Sequence, residues 1–390
     1  MSTENNTNHT PRLRFPGFSG EWKEVKLGEC CTITTGHKDV NIAVEDGQYS
    51  FYTCSHDVYK ANSYSFDTEA ILIAGNGDVG NLHYHKGKFE AYQRTYVLYD
   101  FKIDVQFILQ NLSWNLISYL RQGIVGTSIP YIVKGRLMDY PIPIPFNPAE
   151  QQKIAECLSE LDNLITAQDQ KVDALKEKKK GLMQQLFPRQ GETVPRLRFP
   201  GFEGEWDYVN GNELFMPISN KNHNSDLPIL ALTQDQGAVP REMINYNVVV
   251  SDKSVAGYKV VEVDDFIISL RSFQGGIEYS RYKGLCSPAY IVLRKKRKDM
   301  SSDFYRIYFK SFIYIQELNK NLEGIRDGKM ISYQQFSEIK LPKPSPAEQQ
   351  KIAECLSALD ETITAESDKL EALKSHKKGL IQQLFPQPAK

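Results

Sequence analysis

Residues 75–80 read GNGDVG, formally the GxGxxG pattern of dinucleotide binding, and they follow AILIAG (70–75), which predicts a strand. The chemistry at stake would be a pyrophosphate held on the N-terminus of the next helix. The following NLHYHKGKFEAY has no helical apolar period and carries two further turn signals, so a tight strand-to-strand turn is expected. His83 and His85 are an isolated pair with no other ligand spacing nearby, and no metal site is expected. GIRDGKM (324–330) is too short for a phosphate-binding P-loop and lacks its Ser/Thr. The cysteines Cys30, Cys31, Cys54, Cys157, Cys286 and Cys355 form no CxxC pair, so neither a zinc ribbon nor a disulfide framework is suggested. No catalytic constellation emerges.

The elements behind these residues say more. At 390 residues the chain is too long for one ordinary core. Its apolar content is globular, and no apolar run approaches a membrane span. The polar start, MSTENNTNHT, lacks the apolar core of a signal peptide, so a cytoplasmic protein is expected. A formal net charge of −1 argues against a strong standalone nucleic-acid binder; such a function must come from local patches or from a partner.

Internal repetition organises the chain. The stretch 148–188, PAEQQKIAECLSELDNLITAQDQKVDALKEKKKGLMQQLFP, matches 346–386 at 30 of 41 positions, enough to require a shared structural role. A shorter repeat precedes each copy: PRLRFPGFSGEW (11–22) and PRLRFPGFEGEW (195–206) differ at one position. Between the repeats lie two blocks, 23–147 and 207–345, that barely resemble each other. Divergence confined to one place suggests one scaffold holding two different readers.

The long repeat is a helix. Pro148 begins it, where a missing N–H costs nothing, and Pro188 stops it. Ile154, Leu158, Leu161, Ile165, Val172, Leu175, Leu182 and Leu186 alternate steps of four and three with two gaps, which is a heptad seam. Ile352, Leu356, Leu359, Ile363, Leu370, Leu373, Leu380 and Leu384 repeat it. The gaps hold Gln168 and Lys179 in one copy, Glu366 and Lys377 in the other. Parallel pairing would set Lys179 against Lys377, desolvating two like charges. Antiparallel pairing, with facing numbers summing to about 534, sets Gln168 against Glu366 and lets both lysines snorkel, Lys179 over Leu356 and Lys377 over Leu158. The expected pair is antiparallel and within the chain, with a seven-residue shift of register or pairing of each helix with another protein as the alternatives. It makes a rod of about 38 residues or roughly 57 Å at ~1.5 Å per residue. Its two-fold axis would place the variable blocks at opposite ends, as paired readers of a duplex require.

Both variable blocks read as strand-rich with short helices. The first offers strands at 49–54, 70–75 and 95–100 and a helix at 105–122. The second offers strands at 227–233, 247–252, 265–270 and 289–295 and a helix at 303–321. Each ends in a proline-spaced run, YPIPIPFNPAEQ (140–151) or IKLPKPSPAEQ (339–349). RKKRK (294–298) could grip phosphates or be a solvated turn. HYHKGK (83–88) is a small basic patch with an aromatic.

The pattern resembles the specificity subunit of type I restriction–modification systems. The residues that carry it are PRLRFPGFSGEW leading into KLGE (26–29), ILIAGNGDVG, IPIPFNPAEQQKIAECLSELDNLI, and their second-half counterparts. The resemblance spans nearly the whole chain. It implies an α+β fold: two pseudo-two-fold-related, strand-rich target recognition domains joined by an antiparallel two-helix coiled coil. The expected division is a disordered tail (1–10), recognition domain 1 (11–147), spacer helix 1 (148–188), linker and recognition domain 2 (189–345), spacer helix 2 (346–386) and a C-terminal tail (387–390). It further implies a chain without catalytic activity or cofactor of its own, in which each recognition domain reads half of a split, non-palindromic site in double-stranded DNA. Two methylase subunits would carry S-adenosylmethionine and methylate adenine; restriction subunits would use ATP and magnesium.

Bidentate readers of base edges are Arg, Asn, Gln and Lys. On turns beside the expected strands the candidates are Lys86, Lys88 and Arg94 in the first block, and Arg241, Arg271, Gln274 and Arg281 in the second. Two rival readings remain. A methyltransferase reading has only GNGDVG and SPAY (287–290), one proline short of an amino-methyltransferase signature because Ala289 replaces it. A scaffold reading keeps the coil and makes the blocks protein-binding modules, which the near-neutral charge suits.

Overall fold

A computed structural model of the chain describes residues 10–121, 131–224, 226–244, 255–320 and 331–386. The tails at 1–9 and 387–390, the expected strand at 247–252 and the GIRDGKM segment lie outside the described residues. The chain forms two compact units, one of residues 1–170 with 367–390 and one of residues 171–366. Each unit thus combines one variable block with part of each long helix. No helix among the described residues is long and apolar enough to cross a membrane.

The long helices run Pro148–Leu186 and Pro346–Leu384 without a break. Their direction follows from each unit taken alone. In the first, Ile154, Ala155 and Leu158 share a core with Leu380, Ile381, Leu384 and Phe385. In the second, Leu182, Leu186 and Phe187 share one with Ile352, Ala353 and Leu356. The start of one helix meets the end of the other both times, so the pair is antiparallel. The seam residues Ile154, Leu158, Gln168, Ile352 and Leu356 are buried, and Leu161, Leu175, Leu182, Leu359, Glu366, Leu373 and Leu380 are half-buried. The seam lysines do not simply snorkel over leucines: Lys377 Nζ donates to Asp162 Oδ1 at 2.6 Å, and Lys179 makes the equivalent bond to Asp360. A carboxylate one turn away outcompetes water for a half-buried ammonium, because Coulomb attraction grows as the dielectric falls.

The short repeats clamp these helices. Arg14 grips Glu150 through two parallel bonds, Nε to Oε1 at 2.6 Å and Nη2 to Oε2 at 2.8 Å. Arg198 grips Glu348 the same way at 2.8 and 2.9 Å. Both carboxylates are almost fully buried, the setting in which fork-to-fork pairing is strongest. The other arginine nitrogen donates to the carbonyl of Gly20 or Gly204. Those glycines, with Gly17 and Gly201, have φ between +78° and +91°, a region that penalises a Cβ and explains the PGFxGEW spelling. The same segments reach the opposite helix end. Leu13 N donates to Gln383 O and Leu197 N to Gln185 O, while Trp22 packs on Phe385 and Trp206 on Phe187. Short and long repeats are duplicated together because they are each other's partners.

Each proline-spaced run becomes a strand that closes its block. Pro141–Ile144 pairs antiparallel with Lys23–Lys26, and Lys340–Lys343 with Asp207–Asn210. The prolines are tolerated because each ribbon has a free edge, and the alternation buries Ile142 and Ile144.

The first block carries a six-stranded sheet in the order Thr32–Thr35, Thr95–Tyr99, Phe66–Ala74, Leu82–Ala91, Tyr49–Tyr52, Val58–Ala61. Neighbours are antiparallel except Tyr49–Tyr52 with Leu82–Ala91. Helix Val105–Arg121 packs Phe107, Ile108, Leu112, Leu116 and Leu120 onto the face formed by Ile33, Ile71, Ile73 and Leu98. The second block holds a four-stranded sheet, Phe215–Ile218, Ile291–Lys295, Phe266–Ile268, Glu278–Tyr279, and two smaller ribbons. The single helix expected at 303–321 is two, Ser302–Tyr308 and Phe312–Lys320. Ser311 interrupts it by capping the second helix, its Oγ accepting Tyr314 N at 3.3 Å and its carbonyl accepting Ile315 N at 3.0 Å.

Candidate nucleic-acid interface

GNGDVG is a turn between antiparallel strands Phe66–Ala74 and Leu82–Ala91, with Gly77 and Gly80 at φ +63° and +86° and no helix following. Gly75 N donates to Arg94 O at 3.0 Å, which fixes exposed Arg94, on the Tyr92–Arg94 turn, beside it. Lys86 and Lys88 sit on strand Leu82–Ala91 rather than on a turn as expected. HKGK continues the pairing because Lys86 and Lys88 face Glu69 and Asp67 across the ladder, and opposite charges at facing positions favour register. Lys86 Nζ lies 3.9 Å from Glu69, and Lys88 Nζ stands 4.7 Å over the Tyr64 ring; hydrogen bonding to the Tyr64 side chain raises the Lys88 pKa. Both remain exposed. His83 and His85 alternate to the other face, where His85 Nδ1 pairs with Tyr52 Oη at 3.0 Å and His83 Nε2 with Ser55 O at 3.0 Å. Among the described residues no group of three His, Cys, Asp or Glu could hold a metal ion.

In the second block, Arg241 opens a 3-10 turn after strand Gly237–Pro240 and is half-buried. Arg271 and Gln274 are exposed at the short helix Ser272–Gly275, and Arg281 is exposed beyond strand Glu278–Tyr279. Of these, Arg281 lines a groove of about 870 Å³ that also takes in Lys176, Gln234, Gln236, Arg306 and Lys310. Arg241, Arg271 and Gln274 are outside its lining. Lys310 Nζ bonds Glu278 Oε1 at 2.6 Å; burial raises the Glu278 pKa, and the ammonium opposes that rise. The RKKRK run is largely committed inside the block. Arg294 forks onto buried Asp265 with two 2.7 Å bonds, Lys295 reaches Ser302 at 2.8 Å, and Arg297 pairs with Asp299.

Gln234 and Gln236 were not among the candidates. They occupy the hairpin turn between Leu230–Thr233 and Gly237–Pro240, where Thr233 Oγ1 accepts Gln236 N at 3.0 Å and Gly237 takes φ +75°. The sequence signal was available in TQDQG, a short polar stretch ending in glycine between two apolar runs.

The family model described as "Type I restriction modification DNA specificity domain" matches twice, at residues 19–177 and 205–375. The type I restriction enzyme EcoDI specificity subunit of Escherichia coli is 38% identical over 213 residues, covering 53% of this chain and 46% of that protein. The MjaVIII specificity subunit of Methanocaldococcus jannaschii is 26% identical over 417 residues, covering 98% and 95%. The crystal structure of the type I restriction–modification S subunit from M. genitalium superposes with a TM-score of 0.68 at 17% identity, covering 97% of this chain and 100% of that one. Two matched segments that together take up most of the chain, on a fold of two strand-rich heads and paired long helices, place this protein in the type I restriction–modification DNA specificity domain family.

Proposed function

We propose that this chain is the non-catalytic DNA-reading subunit of a type I restriction–modification assembly, taking a bipartite, non-palindromic duplex site with one half-site per head. One observation carries the reading: two unlike heads are carried on repeated frames that are closed by the same bonds, Arg14 to Glu150 and Arg198 to Glu348. Duplicated mounting with divergent heads suits a device in which support is common and recognition is not. In this reading the antiparallel helices set the gap between half-sites, and the chain scaffolds two methylase subunits and the restriction subunits in the cytoplasm. S-adenosylmethionine, ATP and magnesium belong to those partners. The near-neutral charge fits a reader whose partners help hold the phosphates. Exposed Lys86, Lys88 and Arg94 in the first head are the proposed DNA contacts there. Arg241, Arg271, Gln274 and Arg281, joined by Gln234 and Gln236, are those of the second.

The test is a block exchange. Methylation-sensitive sequencing of host DNA identifies the target, and gel retardation with the chain plus its methylase subunit measures binding. Replacing residues 23–147 by the corresponding block of a relative should change one half-site and leave the other half-site and the gap intact. A change in both half-sites, or retention of the original site, refutes modular reading.

A further inference from the structure

Each head rests on the long helices mainly through apolar contact. Phe107, Leu112 and Leu116 belong to the core that holds Ile154 and Leu158, and Phe304, Tyr305 and Tyr308 to the core that holds Ile352 and Leu356. Such contact is strong and non-directional; it attaches a head without fixing its angle. Polar contacts limit that freedom, among them Ser301 N to Gln349 Oε1 at 3.0 Å in the second unit, and one of them recurs at equivalent helix positions in both units. Asp162 and Asp360 close the repeated LSELD and LSALD stretches. Asp162 accepts Gln110 Nε2 of the first head at 2.7 Å on Oδ2 and Lys377 at 2.6 Å on Oδ1. Asp360 accepts Lys179 on Oδ1 and faces Arg306 Nη1 of the second head at 3.8 Å from Oδ2. Arg306 also donates to Ser357 Oγ, one turn earlier on the same helix, at 3.0 Å.

The head-side groups are unlike, a hydrogen-bonding amide in one block and an ion-pairing guanidinium in the other, within sequences that otherwise barely match. Both arrive at the equivalent carboxylate, and both do so beside the equivalent lysine of the opposite helix. Gln110 is 2% exposed, so rotating the head away would strand a buried amide and leave Asp162 sharing its charge with Lys377 alone.

We infer that Asp162 and Asp360 are positioning residues that lock each head's angle on the helical frame and thereby make the protein intolerant of a wrong gap between half-sites. The inference rests on the DNA-reading function proposed above. A gap wrong by one base pair turns one half-site by about a tenth of a helical turn; rigid heads accept it only by deforming the DNA, whereas a swivelling head follows it.

The experiment uses the full chain with its methylase subunit and a panel of duplexes: the natural target, gaps one base pair longer or shorter, and single changes in either half-site. For Asp162→Asn and Asp360→Asn, binding to the natural target should fall about threefold, while the penalty for a wrong gap should fall about tenfold. The penalty for a wrong base should stay at its wild-type value. Gln110→Leu and Arg306→Met remove the same contacts from the head side and should relax the gap likewise; they decide the matter if an aspartate variant does not fold. An unchanged gap penalty in folded variants, or a lost base preference, overturns the positioning role. Failure of the wild-type complex to prefer any split target would instead overturn the functional reading itself.

Discussion

The Arg198–Glu348 fork gives the sharpest test of how the frame is held. Glu348 is 2% exposed at its side chain and Arg198 15%, and the arginine's remaining nitrogen is used by Gly204 O. Truncating Glu348 to alanine leaves a guanidinium largely shut off from water with one carbonyl for company. Removing one partner of a buried pair costs about 3–5 kcal/mol, because the survivor keeps its desolvation penalty without its attraction. For a unit of about 200 residues, each kcal/mol moves the melting midpoint by about 2–4 °C. Glu348→Ala should therefore lower the transition containing residues 171–366 by roughly 10 °C in scanning calorimetry of the full chain. Arg198→Met should cost a similar amount, for the mirror reason. Arg198→Met with Glu348→Leu leaves no buried charge and should cost clearly less than the sum, a coupling of about 2 kcal/mol or more. Additive costs, or a fall below about 2 °C for Glu348→Ala, would refute the argument that this pair is desolvated and mutually dependent. The exposed pair Lys26–Asp139, with side chains 62% and 60% exposed, is the control; its removal should leave the midpoint unchanged.

Further expectations concern buried thiols and backbone. Burial pushes Cys30 up to about 11 and Cys31 and Cys286 to about 12, so brief iodoacetamide treatment at pH 8 should spare all three; peptide mapping that finds them alkylated as fast as in denaturant would count against it. Because these thiols stay neutral in the fold but ionise once unfolded, their contribution to stability is complete below the unfolded value near 9 and lost as pH rises toward 12. The midpoint should fall from pH 9 to pH 11, less steeply in Cys286→Ala; equal slopes would exclude that thiol as a contributor. Gly276 has φ +80°, and a Cβ there would come 2.0 Å from Phe309 O. Gly276→Ala should cost about 3 kcal/mol in urea titration, against about 1 kcal/mol for Gly201→Ala, where φ is +91° but the space is open.

The long helices were legible because their signal is local. A period of 3.5 residues and two bounding prolines specify the element, and a pair of lysines in the seam excludes the parallel arrangement. Strands were legible where they are mostly apolar, as at residues 70–74 of Phe66–Ala74 and at Thr95–Tyr99. The strand-to-strand turn at GNGDVG was legible, but not the run of Leu82–Ala91 through HYHKGK, which pairs through charge and aromatic contacts instead of apolar alternation. The break at Ser311 was missed because a serine within an amphipathic run carries no sign of whether its hydroxyl caps or merely points outward. In the sequence, only residue type and an expected turn point to the base-reading candidates. The structure keeps Arg94 and Arg281 exposed on turns or beyond strands, moves Lys86 and Lys88 onto a strand, and adds Gln234 and Gln236.

By itself the sequence determined the order of repeats, the two helices and their opposed directions, and the confinement of divergence to two blocks, because periodicity and like-charge repulsion act between residues whose spacing is written in the chain. Only the tertiary structure decided why PRLRFPGF accompanies PAEQQ, that the RKKRK run is mostly committed to internal partners, and that Asp162 and Asp360 join heads to helices. Arg14 and Glu150, or Gln110 and Asp162, stand far apart along the chain. An ion or an amide chooses its partner by distance and burial, which exist only once the chain has folded.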